Sequence, residues 1–312
     1  MPTKKRQLAP PLSVRRRLQL LAFRDAGGHG AKPPLPIVAV GTNVAAYSFD
    51  NGATWTAGTI PAGDWAACAW IGNKYIAVGT NVAASSVNGK VWTAQAIPAG
   101  IYTGVGANGS IAVAVGGSGI LSTSLDGLTW AAQPAIVGNP TLNRKVPWSK
   151  SLGLFVGVGT GAYSSPDGIT WTSGSGVTFQ SVEWSPDLGL FAALRGSSAT
   201  MYTSTNGTAW VSRAGFPSTL TFRVVSWNAT AGVFAGACSA ASVDSVTSSD
   251  GIAWALQNTI PAVTWRWMTV SGGKFVVVAT NTVATSPDGV VWTLGTIPAG
   301  AWSSVAAPFL GI

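Results

Sequence analysis

Residues able to do acid–base or nucleophilic chemistry are few in this chain, and they are scattered. Glu183 is the one glutamate, His29 the one histidine, and the two cysteines are Cys68 and Cys238. Hydrolysis of a glycosidic bond calls for two carboxyl groups flanking that bond. Here Asp50, Asp126, Asp167, Asp250 and Asp288 all stand beside or one residue before an Asn-Gly or Gly turn. Such aspartates accept hydrogen bonds from turn N–H groups, which is a structural role. Asp64, Asp187, Asp244 and Glu183 are left over in the body of the chain, and no acid–base pair is readily assembled from them. The one histidine, His29, sits among glycines outside the repeats and reads as linker, so no Ser-His-Asp triad is expected. Two distant thiols make no zinc site, and no glycine-rich run matches a phosphate loop or a dinucleotide fingerprint. The sequence predicts no catalytic residue, no metal and no cofactor.

Four arginines form the one constellation left. Arg144, Arg223 and Arg266 hold the same slot near the start of a recurring strand, and Arg195 ends a neighbouring one. Guanidinium groups gathered on one rim would bind an anion such as a carboxylate or a phosphate. The alternative is that they pair with carbonyls, with Asp64 or with Glu183, or simply solvate the rim.

What positions these arginines is a repeat. Thr285–Trp292 reads Thr-Ser-Pro-Asp-Gly-Val-Val-Trp, and variants end at Trp55, Trp92, Trp130, Trp171, Trp210 and Trp254. One turn motif about every 40 residues signals a repeat architecture. The second copy reads as four strands, Trp65–Ile71, Lys74–Gly79, Ala83–Val87 and Val91–Gln95, with Asn88-Gly89 as a two-residue hairpin turn. An aromatic leads the first strand in six copies (Trp65, Tyr102, Phe179, Phe222, Trp265 and Trp302), with Asn143 in that place in the fourth. Cys68 falls three residues on, in an apolar slot, and Cys238 in a small-residue slot four repeats away, so a disulfide between them is not expected. Ile37–Trp55 supplies only the last three strands of a unit. Gly295–Trp302 repeats Gly58–Trp65, so a strand at about 302–309 completes the first unit from the other end of the chain. The expectation is an all-β fold: a seven-bladed β-propeller of four-stranded blades over 37–312, closed through its first blade.

The Ser-x-Asp-x-Gly-x-x-Trp pattern at Ser48–Trp55 resembles the Asp-box (BNR) repeat of sialidase-type β-propellers. The other copies carry the Asp or Asn next to Gly, as in Ser165-Pro166-Asp167-Gly168. The resemblance covers 37–312 and implies that the turn aspartates are structural and lie opposite the ligand face. Propellers with degenerate repeats of this kind are similar to those in tailed-phage virion proteins. That resemblance implies a non-enzymatic structural or binding component of a virion, in the tail, the neck or associated with a fibre. A carbohydrate-binding or degenerate sialidase-like propeller is the alternative. A cellular assembly factor with an arginine-lined face is the third reading.

The net charge of +8 sits at one end. In residues 1–36, Lys4, Lys5, Arg6, Arg15, Arg16, Arg17, Arg24 and Lys32 face only Asp25, so this segment carries +7 and the rest +1. Ser13 can cap a helix with Val14, Leu18 and Leu21 on one face and Gly27-Gly28 at its end. Dense like charge equally suits a solvated tail. We expect residues 1–36 to be a basic N-terminal arm, with Lys4, Lys5, Arg6, Arg15, Arg16 and Arg17 docking the ring on other virion proteins. A host surface glycan is a further candidate partner. Nucleic acid is not expected, because no aromatics interleave the basic residues. No apolar run spans a membrane. Leu18–Phe23 is too short for a secretory signal, so the expected location is the virion, after synthesis in a host cytoplasm.

Overall fold

The computed structural model describes residues 35–195, 200–217, 221–238 and 242–308. The arm cations Lys4, Lys5, Arg6, Arg15, Arg16 and Arg17 lie outside these residues, as does Phe309.

Seven blades follow one another around a channel. The innermost strands are Trp302–Ala306, Trp65–Trp70, Tyr102–Ala107, Leu142–Lys145, Phe179–Ser185, Phe222–Asn228 and Trp267–Ser271, in blades one to seven. Adjacent inner strands are tied across the blades. Cys68 N donates to Ser304 Oγ (3.0 Å), Thr103 Oγ1 to the Leu142 carbonyl (2.7 Å) and Ser226 Oγ to the Met268 carbonyl (3.2 Å).

Second strands such as Ile37–Gly41, Tyr75–Gly79 and Ala112–Gly116 are buried along their whole length. Each lies mid-sheet with a blade packed on either face. That is why these segments are runs of Val, Ile and Ala rather than alternating apolar and polar residues. The leading aromatics Trp65, Tyr102, Phe179, Phe222, Trp265 and Trp302 are all buried and fill the wedges between blades. Both cysteine side chains are buried.

Closure occurs in the first blade. Trp302–Ala306 pairs antiparallel with Ile37–Gly41, with Val38 opposite Ala306 and Val40 opposite Ser304. The inner strand therefore comes from one end of the ring sequence and the next three from the other. Leu35 packs against the core between the first two blades, and the Pro36 carbonyl accepts from Tyr75 Oη.

Three details differ from the sequence reading. First, the turn between third and fourth strands is not a two-residue hairpin. In the second blade Ser85 pairs with Thr93, and of Asn88 and Gly89 only Gly89 has positive φ. The longer loop lets buried Ser86 Oγ receive Gly89 N (2.9 Å) while Asn88 Oδ1 receives Lys90 N (2.9 Å). The same serine-to-glycine bond recurs from Ser48, Ser124, Ser165, Ser204, Ser248 and Ser286.

Second, the third and fourth blades are not separate sheets but one nine-stranded sheet. Their inner strands pair in parallel, Arg144 with Gly104 and Lys145 with Val105. Glycine makes this approach possible: a Cβ at Gly106 would lie 2.0 Å from the Val146 carbonyl oxygen.

Third, Leu142, not Asn143, takes the aromatic slot of the fourth blade. It pairs with Gly159 as Trp65 pairs with Gly79, and it is fully buried. One extra residue then fits before Val146, with Arg144 at φ 64°.

Candidate functional site

The start of each inner strand faces the channel mouth, one residue after the buried aromatic. Ala66, Thr103, Gln180, Arg223, Arg266 and Ser303 occupy this place, joined by Asn143 and Arg144 from the bulge in the fourth blade. With Trp267 they line a cavity of about 320 Å³. So the structure brings together Arg144, Arg223 and Arg266, from the fourth, sixth and seventh blades. It does not bring Arg195 to them. Arg195 ends the second strand of the fifth blade, opposite Phe179, one strand outward from the channel.

The three guanidinium groups have little to neutralise them. Arg144 Nη1 donates to the Arg266 carbonyl (2.5 Å). Arg223 Nε and Arg266 Nε are buried with no hydrogen-bond partner. Burial, and then the charges of Arg223 and Arg266, push Arg144 down to about 9. Burial and the Arg266 charge lower Arg223 as well. Neither Asp64 nor Glu183 lines the cavity. Asp64 accepts from Thr42 Oγ1 (2.6 Å).

Glu183 belongs to a second polar group deeper in the channel, which sequence reasoning missed. Lys145 Nζ lies 2.6 Å from Glu183 Oε2 and also donates to Ser226 Oγ (2.6 Å) and the Val225 carbonyl (3.3 Å). It thus links the fourth, fifth and sixth blades. Lys145 and Glu183 line a separate cavity of about 250 Å³ toward the other mouth, and Trp267 borders both cavities.

A clamp outside the channel holds the rim, and this too was missed. Asn43, Asn81 and Asn281 turn the second strand into the third with φ of 58°, 57° and 55°. Their Oδ1 atoms receive Gly63 N, Gly100 N and Gly300 N at 2.8, 2.7 and 2.6 Å. Their own N–H groups donate back to the carbonyls of the same glycines. Each glycine ends an Ile-Pro-Ala-Gly loop whose proline carbonyl accepts from the next aromatic: Trp65, Tyr102 or Trp302. The signal was present as Thr-Asn and Ile-Pro-Ala-Gly in the same three copies.

The turn aspartates are on the other rim, away from the arginines. Asp126 Oδ1 receives Leu128 N and Thr129 N, both at 2.8 Å, and these backbone donors hold its carboxyl down at about 2. Asp167, Asp250 and Asp288 make the same pair of bonds, and Asp50 receives Thr54 N. Asp187 is different: its Oδ2 accepts from Trp227 Nε1 (2.8 Å), linking the fifth and sixth blades. Among the described residues no group of three or more His, Cys, Asp or Glu could hold a metal, and no helix is long and apolar enough to cross a membrane.

The sequence matches no protein-family model and no curated protein. Solved structures do resemble it. YCF48 bound to D1 peptide superposes with a TM-score of 0.58 at 16% identity, covering 85% of this chain and 88% of that one. The WD40 propeller domain of Doa1 gives 0.60 at 11% identity, with 86% and 89% covered. Virginiamycin B lyase from Staphylococcus aureus gives 0.63 at 7% identity, with 75% and 84% covered. At such identities the likeness speaks to architecture alone, and by architecture this chain is a β-propeller.

Proposed function

We propose that this chain is a non-enzymatic binding component of a larger assembly, and that the assembly is a tailed-phage virion. The observation that carries the first part is the channel mouth. It gathers three arginines and, among the described residues, is lined by no carboxylate, tyrosine or histidine that could act as base or nucleophile. What supports the second part is the resemblance of the degenerate Asp-box repeats, together with a basic segment 1–36 on a ring of nearly neutral sequence. A segment of that charge attracts an acidic surface on another protein.

The test uses the full chain with Lys4, Lys5, Arg6, Arg15, Arg16 and Arg17 replaced by serine. The variant is expected to keep the circular dichroism and melting profile of the parent and to be lost from sedimented particles. Incorporation at the parent level overturns the docking role.

One observation favours a second reading, a carbohydrate-binding or degenerate sialidase-like propeller: three arginines converge in one cavity, as a triad does in sialidases. Glycan-array binding that disappears in Arg223→Ala or Arg266→Ala would replace the first reading with this one.

A further inference from the structure

The arginine mouth has a chemistry more specific than a positive rim. Arg144, Arg223 and Arg266 reach one cavity from three separate blades, and every other described polar lining residue is neutral: Thr103, Asn143, Gln180 and Ser303. The Nε–H groups of Arg223 and Arg266 are buried and, among the described residues, donate to nothing. Buried donors are ordinarily satisfied, and each exception calls for a ligand or a cost. Glu183, the acid nearest in the channel, is already held by Lys145 in the other cavity. Among the described residues, none that lines the mouth supplies a counter-charge.

We propose that the mouth is a phosphate site, taking a phosphate dianion as the free ion or as the end of a phosphomonoester. Three guanidinium groups approaching from different directions match a tetrahedral group with an oxygen toward each. A carboxylate has two oxygens in one plane and would leave one arginine unmatched. The charge favours the same choice, since a group of charge near −2 neutralises three cations better than a monoanion does. Burial of the guanidinium groups and their mutual repulsion, which lower Arg144 and Arg223, are relieved when such an anion arrives. The cavity opens at the rim, so an ester substituent can project outward. This site does not depend on which assembly the ring joins.

The experiment titrates the full chain with inorganic phosphate in a chloride buffer of fixed ionic strength, by calorimetry and by thermal melting. One site is expected, with a rise in melting temperature. Arg223→Gln and Arg266→Gln should each weaken it by at least about tenfold, the loss of a charge-assisted hydrogen bond. Without phosphate, Arg266→Gln should melt no lower than the parent, because one repelling charge is gone. That result separates loss of the site from loss of the fold. The chain with its six arm cations changed to serine should bind as the parent does. Phenyl phosphate binding as tightly as inorganic phosphate identifies an ester end as the ligand, and its exclusion identifies the free ion. The proposal is overturned by absence of heat and melting shift with phosphate, or by equal binding of acetate. It is equally overturned by binding that survives both arginine changes or vanishes with the arm cations.

Discussion

Asn81 allows the rim clamp to be tested in two separable parts. Its backbone is left-handed, with φ 57°, and its Oδ1 accepts the Gly100 N–H at 2.7 Å. A side chain other than Asn, Asp or Gly in that conformation costs about 1–2 kcal/mol. Loss of the amide oxygen removes a bond worth about 1 kcal/mol net. The backbone bond from Asn81 N to the Gly100 carbonyl (2.8 Å) survives either change. Asn81→Gly therefore loses only the side-chain bond, for about 1 kcal/mol, plus the few tenths of a kcal/mol or so that glycine's freedom in the unfolded chain adds to the cost. Asn81→Ala loses the bond and meets the steric penalty as well, for about 2–3 kcal/mol in total. Equilibrium urea unfolding reads both as shifts in midpoint at an unchanged slope. The reasoning is refuted if alanine and glycine cost the same, since conformation would then contribute nothing. It is refuted in its other half if Asn81→Gly leaves the midpoint where it was. Asn43 and Asn281 hold the equivalent places in other blades and should behave alike, with additive effects in combination.

The remaining predictions concern charge. Asp126 is held at about 2 by Thr129 and Leu128 N–H groups, below the value of about 4 for an unfolded aspartate. The folded ring then binds fewer protons than the unfolded chain, so this contribution is present above about pH 4 and lost as pH falls toward about 2. Asp126→Asn should flatten the acid limb of the stability–pH curve over that window, by a small amount because the carboxylate is largely exposed; an unchanged limb counts against the turn bonds. In the channel, Lys145→Met or Glu183→Gln alone should destabilise by about 1–3 kcal/mol, because each strands a partly buried charge. The double change should cost less than the sum, and strict additivity in a double-mutant cycle would show that the pair is not coupled.

The ring itself was readable because its signals are local and periodic. A Trp-ending turn motif recurs, and the copied Gly-Thr-Ile-Pro-Ala-Gly segments betray the closing strand. The site was readable in part. Arg223 and Arg266 follow a buried aromatic directly, so counting along the strand places them at the mouth. Arg144 reached the same place by a different route: Leu142 fills the core slot, and an extra residue bulges the strand. Counting alone could not show that, because a leucine in an aromatic slot carries no mark. Arg195 stands where the sequence put it, at the end of a second strand, but that strand lies one place outward and Arg195 does not line the cavity. Contacts between blades left no local trace. Lys145 meets Glu183 and Ser226 across two blades, and the Asn–Gly clamps join different repeats, so neither follows from spacing within one unit. The turn loop was misjudged because Asn-Gly alone suggests a tight hairpin; the buried serine that lengthens it was legible only as a residue common to all copies.

A ring invites the thought of something threaded through it, and the inner strands here argue otherwise. Lys145 reaches from one side toward the strand two blades on, Glu183 meets it, and Trp267 stands between the two hollows. Side chains of the fourth, fifth and seventh blades thus stand between the two mouths. The mouths are separate hollows of unlike chemistry, one lined by three arginines and the other by a lysine–glutamate pair, and each has room for a partner of its own.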